Sequence, residues 1–432
     1  MHPEATPGQP KPSPYFLAGS IQASGSSIPV VAPKQAAAAA PQQGTSGAVA
    51  AAAVAGAGAV AAPRQPPLAA RRLKLSKNEL VSSSVTVMFI PIAGVIGSGA
   101  ACPSTAIPLS TVASVKRAVF EELRPRGVTV GSTFKRCSYN TSRLTIYGTA
   151  WTFDKCDFDD LTGYADAAEE VLRRRGYNPD AYAHKCSGPD DCRVCISADF
   201  WTTPNAMAHE LGHNLFLAHA GAVSSAGVFD EYADMSGIMG YCCSDRCPNT
   251  PHAWQLGWIT LQEVNWTSLV PGQTLTFNIN SQSLSRQTGL RLTDLPGSDP
   301  VFLGYRTRAG GDASATPDIA GYLGGPGRLH IYTANITNTW DSEETTKQAT
   351  LESIGQSWAL RLPGLVVRLV RASNTAALVT LCRRAGPETL ASCQAGLDND
   401  CNGKAGSQDA ACQLLLPRRA RAAPLKRTLR GL

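Results

Sequence analysis

The clearest hydrophobic pattern in the chain follows Thr203. Met207, Leu211 and Leu215 recur at four-residue spacing, so they lie on one face of a helix. Thr203 can cap the first turn, and Pro204 suits the first helical position, where its missing N–H breaks no hydrogen bond. The pattern therefore predicts a helix that begins at Pro204 and packs this apolar stripe against a core.

The rest of the pattern predicts two kinds of domain. Before the helix, apolar runs predict a core strand at 84–92 and amphipathic helices at 110–123 and 158–174, an order typical of an α/β fold. After residue 258 the pattern changes to short alternating strands broken by Gly, Pro, Asn and Asp. The clearest of these strands are 274–279, 301–306, 329–333 and 377–382. They predict an all-β, sandwich-like domain from 261 to 383.

The first eighty residues have a different composition. They are rich in Pro, Ala, Gly and Ser, and 35–62 contains two alanine runs. Large apolar side chains that could offset the entropy of ordering are few, so we predict a low-complexity, disordered region over 1–80. No signal peptide is evident after Met1, and 48–62 is too short and too weakly apolar to predict a membrane tether.

The predicted helix also carries reactive side chains. The sequence AHELGHNLFLAH, residues 208–219, places His209 and His213 on one helical face, where both imidazoles can bind one Zn²⁺ at about 2.0–2.1 Å. Glu210 lies beside them and can accept a proton from water that the metal activates. Two histidines and a carboxylate at this spacing favour a zinc-dependent hydrolase of peptide bonds.

A catalytic zinc site needs a third protein ligand. His219 follows six residues after His213, so it reaches the metal only if the chain turns soon after residue 215. Glu231 is the alternative, since another class of HExxH enzymes takes its third ligand from a downstream glutamate. Phe216 bears on this choice, because a left-handed residue often ends a helix and phenylalanine resists that conformation. We predict His219 as the third ligand, with the Phe216 ring packed over the site or the turn altered.

A second motif follows at 234–241, with the sequence DMSGIMGY. Together with the histidines it resembles the metzincin metalloproteases, in which HExxHxxGxxH is followed by a tight turn bearing a methionine beneath the metal. Met239 matches that methionine and Tyr241 matches a tyrosine that some metzincins place near the zinc. The resemblance implies that Met239 supports the site and that Tyr241 stabilises the oxyanion. Phe216 stands where the clan has glycine.

Within this clan the chain resembles the gametolysins, a green-algal family of matrix metalloproteases. The segments that carry the resemblance are HELGHN at 209–214, HAG at 219–221, EYADMSGIMGY at 231–241 and PHAWQLGW at 251–258. The resemblance implies an α/β metzincin-like zinc protease domain at 81–260. It also implies that the substrate is a protein, an extracellular-matrix or cell-wall glycoprotein. A rival interpretation is a catalytically silent, matrix-binding glycoprotein that keeps the protease fold as a scaffold.

Cysteines and glycosylation sequons indicate the compartment. The chain has 13 cysteines, and the sequence Asn-X-Ser/Thr occurs at Asn140, Asn265 and Asn335. Both features are typical of an oxidising, glycosylating pathway, so we predict disulfide bonds, N-glycans and a secreted protein of the cell wall or matrix.

A short Cys-rich module is predicted at 384–413. Its sequence DNDCNG, at 398–403, has the spacing of a calcium loop. The candidate Ca²⁺ ligands are Asp398, Asp400, Asn402, the backbone carbonyl of Lys404, and Asp409. The alternative is a disulfide-pinned polar loop without metal.

The last segment, 414–432, is a basic tail. It contains six Lys and Arg residues and no acid, which equals the net charge of +6 of the whole chain. Because the basicity is confined to this tail, we predict a solvated segment and no nucleic-acid partner.

Overall fold

The computed structural model describes residues 14–17, 22–23, 84–89, 92–94, 117, 120, 128–148, 151–153, 161–178, 194–197, 203–224, 226–241, 245–339 and 341–417. Over these residues the protein is mixed α/β. The helices are α1 (Val130–Cys137), α2 (Leu161–Arg174), α3 (Pro204–Asn214), α4 (Thr250–Gln255), α5 (Pro317–Ala320), α6 (Leu390–Ala395) and α7 (Ala410–Leu415).

The strands fall into small N-terminal sheets and two larger sheets. The strands of the N-terminal half are β1 (Pro14–Leu17), β2 (Gln22–Ala23), β3 (Ser84–Phe89), β4 (Ile92–Gly94), β5 (Arg143–Gly148), β6 (Trp151–Phe153), β7 (Val194–Ser197), β8 (Ala220–Val223) and β9 (Phe229–Asp230). Those that follow are β10 (Thr260–Asn265), β11 (Thr274–Asn280), β12 (Gln287–Thr293), β13 (Val301–Arg306), β14 (Arg328–Thr333), β15 (Thr345–Leu351), β16 (Ser357–Leu360), β17 (Leu365–Ala372) and β18 (Ala376–Arg383).

Before α3 the chain forms parallel pairs of strands. β3 pairs with β5, and β4 pairs with β6. The strand predicted at 84–92 and the helix predicted at 158–174 are confirmed by β3 and α2. The helix predicted at 110–123 lies outside the described residues, apart from 117 and 120.

Two short strands lie within the segment 1–80, for which the composition predicts disorder. β1 pairs with β7, and β2 pairs with β3. β1 has the sequence PYFL, which contains the only aromatic residues of 1–80. Aromatic residues favour strands, and an average over the whole Ala-rich segment concealed them. The rest of 1–80 lies outside the described residues.

The two larger sheets enclose one core. The seven-stranded sheet has the order β10-β12-β13-β14-β15-β8-β9, and the four-stranded sheet has the order β11-β18-β17-β16. Buried residues from both sheets pack together, among them Ile279, Leu303, Leu369 and Val379. The four strands predicted from the alternating pattern are confirmed by β11, β13, β14 and β18.

The seven-stranded sheet crosses the predicted domain boundary at 260/261. β8 begins directly after His219 and pairs in parallel with β15, with Ala220 opposite Thr345. The Thr345 N–H also donates to the His219 carbonyl at 3.1 Å. The motif segment and the C-terminal strands therefore belong to one sheet. A sequence pattern predicts strands but does not show which strands pair.

The C-terminal module is held by disulfides. Cys382 is bonded to Cys401, and Cys393 to Cys412. A third described disulfide, Cys137–Cys247, joins α1 to the segment before α4 and spans 110 residues. Among the described residues no helix has the length and apolar character needed to cross a bilayer.

Candidate metal centre

Helix α3 forms where the apolar stripe predicts it. Met207, Leu211 and Leu215 are buried in the core that surrounds the helix. Pro204 occupies the first helical position as predicted, but the expected cap is absent, because the Thr203 side chain makes no capping hydrogen bond. Burial of the stripe rather than the cap therefore stabilises this helix end.

The turn after α3 corrects the expectation for Phe216. The helix ends at Asn214, and Phe216 itself adopts the left-handed conformation, with φ 63°. A left-handed non-glycine residue costs roughly 1–2 kcal/mol. A hydrogen bond from outside the helix contributes to stabilising this turn, since Gln255 Nε2 donates to the Phe216 carbonyl at 3.0 Å. The chain thus turns without the glycine that the clan pattern has here.

This turn brings His209, His213 and His219 together. Their candidate ligand nitrogens all lie within 4.8 Å of one another. The ring centroids of His209 and His213 are 5.0 Å apart, and His219 lies 5.5 Å from His209 and 4.8 Å from His213. The first two rings come from one face of α3, and the third from the segment between α3 and β8.

Each of the three imidazoles has an acceptor at Nδ1. His209 Nδ1 donates to the Ile238 carbonyl at 2.9 Å, and His213 Nδ1 donates to the Leu217 carbonyl at 2.9 Å. His219 Nδ1 donates to Glu231 Oε2 at 3.1 Å. With the proton of each ring on Nδ1, the Nε2 atom is the one that can bind a metal. Three imidazole nitrogens with outer hydrogen-bond partners fit the ligand set of catalytic zinc.

The alternative third ligand, Glu231, has a different position. It accepts the hydrogen bond from His219, its side chain is 48% exposed, and it groups with His219 and Glu344 rather than with the two histidines of α3. In this geometry Glu231 is a hydrogen-bond acceptor for His219 and lies outside the group formed by the three histidines.

Burial changes the protonation of the site. It lowers the pKa of His209 to about 4, and it also lowers the pKa of His213. His209 and His213 are therefore neutral at pH 7, as metal binding requires. Burial raises the pKa of Glu210 to about 7, where a carboxyl group can both accept and return a proton.

Met239 is fully buried beneath the motif helix. A Cβ atom on Gly212 would lie 2.2 Å from Met239 Sδ, so only glycine permits this approach. The preceding residue, Ile238, supplies the carbonyl that accepts from His209. The turn at 234–241 is thus in contact with both the backbone and a candidate ligand of α3. We call this turn the floor of the site.

Asp234 anchors the floor to the sheet. It is fully buried and accepts from the Ser236 N–H at 2.9 Å and Asn249 Nδ2 at 3.0 Å, and it pairs with Lys347 Nζ at 3.0 Å. Burial alone would raise the pKa of Asp234, but Lys347 and these hydrogen bonds outweigh it and lower that pKa. Asp234 is therefore ionised at neutral pH.

A second buried ion pair supports the floor from β13. Arg306 and Asp312 both have fully buried side chains, with Arg306 Nε 2.9 Å from Asp312 Oδ2. Arg306 also donates to the Ser236 carbonyl, while Arg246 Nε donates to the Gly237 carbonyl at 2.8 Å. Sequence reasoning missed this pair. The available signal was an arginine at the end of a strand that is otherwise apolar, VFLGYR.

Two tyrosines occupy different places at the site. Tyr241 has a 54% exposed side chain, and its N–H donates to the Tyr232 carbonyl at 2.7 Å. The Tyr232 ring lies 4.2 Å from His219 and 6.3 Å from His209 between centroids. Burial raises the pKa of Tyr232, and the carboxylates of Glu231, Glu210 and Glu344 raise it further. Tyr232 belongs to the motif EYADMSGIMGY, but the resemblance assigns it no role.

The remaining predicted sites are the glycosylation sequons and the candidate calcium loop. The sequon residues Asn140, Asn265 and Asn335 are all exposed. In the candidate calcium loop, burial and then a hydrogen bond shared with Asp400 raise the pKa of Asp398.

Hydrogen bonds within this loop join several of its polar groups. The Asn402 N–H donates to Asp398 at 3.0 Å, and the Lys404 N–H donates to Asn402 Oδ1 at 2.9 Å. Asp409 Oδ1 accepts from the Ala411 N–H at 2.7 Å and so caps α7. Calcium binding by the loop stays a prediction.

Comparison with known proteins shows which family this part of the chain resembles. The profile of the family described as Gametolysin peptidase M11 matches residues 182–355. The protein named Autolysin, from Chlamydomonas reinhardtii, is 26% identical over 264 residues, which cover 49% of this chain and 40% of autolysin. The chain thus spans less than half of the length of this relative, and no solved structure matches it. Residues 182–355 are therefore similar to the gametolysin peptidase M11 family, and the resemblance that the sequence motifs indicate is confirmed.

Proposed function

We propose that the protein is a secreted zinc-dependent endopeptidase that cleaves extracellular-matrix or cell-wall glycoproteins, built on a metzincin-like catalytic domain. The observation that supports this most is the cluster of His209, His213 and His219, whose Nδ1 atoms are all bonded to outer acceptors. Such a cluster leaves three imidazole nitrogens within 4.8 Å of one another, an arrangement that core histidines would not need.

The three histidines would hold the zinc ion. When bound, zinc lowers the pKa of water to about 7 and polarises the scissile carbonyl. The floor would keep the histidines in place, because Ile238 accepts from His209 and Met239 packs against Gly212. Zinc needs neutral imidazoles, and burial keeps His209 neutral well below pH 7.

Glu210 would transfer the proton during hydrolysis. The oxygen of the attacking water bonds to the carbonyl carbon, and Glu210 accepts the proton that this water releases. Glu210 then returns the proton to the leaving nitrogen as the carbon–nitrogen bond breaks, which gives a carboxylic acid and an amine. Its pKa near 7 in the buried environment suits both steps.

The substrate class rests on the comparison and on the compartment. The relative from Chlamydomonas reinhardtii is named Autolysin, and the matched family is the gametolysin peptidases. Three described disulfides and three exposed sequons support an oxidising, glycosylating route out of the cell. A glycoprotein of the cell wall or matrix is the substrate that such an enzyme would meet.

The proposal can be tested on the full chain. Purified protein should contain about one zinc ion per chain, cleave a cell-wall glycoprotein at internal peptide bonds, lose activity with a chelator and regain it with zinc. Substrate binding without cleavage by zinc-loaded protein would favour the silent, matrix-binding alternative. Well-folded protein that takes up no zinc would contradict the metal site itself.

A further inference from the structure

Tyr232 lies on the exposed side of the histidine cluster. Its ring is tilted by 45° against His219, with 4.2 Å between centroids, and it is nearly parallel to His209 at 6.3 Å. The side chain is 36% exposed, whereas Met239 on the floor is fully buried. Tyr232 therefore borders the face of the cluster that a peptide could approach.

The backbone of Tyr232 is fixed at both ends of the residue. Its N–H donates to Asp230 Oδ1 at 2.9 Å, and its carbonyl accepts from the Tyr241 N–H at 2.7 Å. The second bond joins Tyr232 to the floor. A Cβ atom on Gly240 would lie 3.2 Å from the Tyr232 carbonyl oxygen, so the two segments are in close contact. A side chain held in this way is positioned before any ligand binds.

The hydroxyl group of Tyr232 is available. Among the described residues no group shares a hydrogen bond with it, although the ring itself is packed against His219. A phenol has an ordinary pKa of about 10, so it is protonated at neutral pH and can donate. A protonated donor beside the candidate metal ligands has the chemistry of an oxyanion-stabilising group.

We propose that the Tyr232 hydroxyl donates a hydrogen bond to the scissile carbonyl oxygen as that oxygen gains negative charge. Tyr232 would then be a catalytic residue, in the role that the resemblance gave to Tyr241. The Tyr241 side chain is 54% exposed, and its described contacts are those of its backbone with Tyr232 and Arg246. This inference rests on the proposed peptide hydrolysis and names one more residue for it.

The test compares three hydroxyl deletions in the full chain, Tyr232→Phe, Tyr241→Phe and Tyr322→Phe. Removing one oxyanion donor lowers kcat about 10²–10³-fold, and phenylalanine keeps the ring that packs on His219. We expect Tyr232→Phe to lower kcat by about 10²-fold with KM changed by less than about threefold. Tyr322, 69% exposed in a loop, is the matched control and should leave kcat unchanged.

Two further readouts separate this role from metal binding. Zinc affinity, measured by competition with a chromophoric chelator, should be equal in the wild type and in Tyr232→Phe. A phosphinic peptide, whose tetrahedral oxygens mimic the transition state, should bind Tyr232→Phe about 10²-fold more weakly by calorimetry. Parallel losses of zinc affinity and kcat would instead make Tyr232 a metal ligand or a support of His219, and would overturn the inference.

The outcomes also separate the inference from the proposed function. If the wild type neither binds zinc nor cleaves peptide, the proposed function and the role of Tyr232 are both contradicted. If the wild type is active and Tyr232→Phe matches it in kcat and in phosphinic-peptide affinity, only the role of Tyr232 is overturned. A loss confined to Tyr241→Phe would return the role to Tyr241.

Discussion

The two sides of the histidine cluster are built in opposite ways. On one side, the floor at 234–241 is tied to the sheet by Asp234 and by the Arg306–Asp312 pair, all fully buried. On the other side lies a rim that consists of Glu231, Tyr232 and Glu344, all exposed. Each side still forms a hydrogen bond with a candidate ligand. In the floor, the Ile238 carbonyl accepts from His209. In the rim, the Glu231 carboxylate accepts from His219.

This contrast suggests that the buried floor sets the geometry of the site, whereas the exposed rim contributes to its chemistry. Buried charges that lose a partner destabilise the fold strongly, so the floor fixes the positions of α3 and the turn. Exposed charges contribute little to stability, so rim residues are free to act on substrate and on ligand orientation. Floor variants should therefore lower stability, and rim variants should change function while the fold persists.

The largest effect on stability is expected at the ion pair beneath the floor. Arg306→Met should lower the free energy of unfolding by about 3–5 kcal/mol, because it leaves Asp312 charged and buried without its partner. Urea denaturation measures this loss, and Glu344→Gln on the rim is the matched control, expected within about 0.5 kcal/mol. Adding Asp312→Asn to Arg306→Met should recover part of the loss. Equal effects of the Arg306 and Glu344 variants would break the distinction between floor and rim.

A rim variant should change metal affinity instead. Glu231→Ala removes the acceptor of His219 Nδ1, and loss of such an outer partner lowers metal affinity about 10–100-fold. Chelator competition measures the zinc affinity, and Glu344→Ala is the control. If Glu231→Ala abolished zinc binding while His219→Ala retained it, Glu231 would be the third ligand after all.

Acid should lower the stability of the fold because His330 is buried in its neutral form. Burial lowers the pKa of His330 to about 3, while its Nε2 donates to the Ile319 carbonyl at 2.6 Å. Below pH 6.5 the unfolded chain takes up a proton on this residue and the folded chain does not, so stability falls as the pH falls. The loss for this one residue should be about 2 kcal/mol between pH 6.5 and pH 5.

The contribution of His330 can be isolated by comparing the pH dependence of stability in the wild type and in His330→Gln. The wild type should lose about 2 kcal/mol more than the variant over that interval in urea unfolding. Asp234 and Asp312 do not account for the slope, because the pKa of each is lowered from 3.8 and they titrate only at lower pH. Parallel curves for the two proteins would contradict the buried, neutral state of His330.

Local spacing was enough to predict α3 and its chemistry. The i, i+4 stripe of Met207, Leu211 and Leu215 and the pair His209 and His213 depend only on helical periodicity, which the sequence contains directly. Four strands of the C-terminal half were likewise predicted from alternation. These are properties of single elements.

Features that depend on distant residues could not be predicted in this way. The left-handed Phe216 is stabilised by Gln255, which lies 39 residues later in the chain. The Arg306 bond to the floor joins positions 70 residues apart. Which tyrosine lies on His219 depends on the path of the chain between β9 and the floor, whereas motif matching drew attention to Tyr241. Contacts between distant residues and the conformation of single turns therefore determine the features that helix and strand periodicity does not predict.

The central claim is that Glu210 transfers protons beside a zinc ion held by the three histidines. The most direct measurement compares wild type with Glu210→Gln in the full chain, with zinc content and cleavage of a cell-wall glycoprotein measured on the same samples. Zinc should be retained and cleavage should fall at least about 10²-fold, because glutamine cannot accept the proton. Undiminished cleavage by zinc-loaded Glu210→Gln would contradict the account.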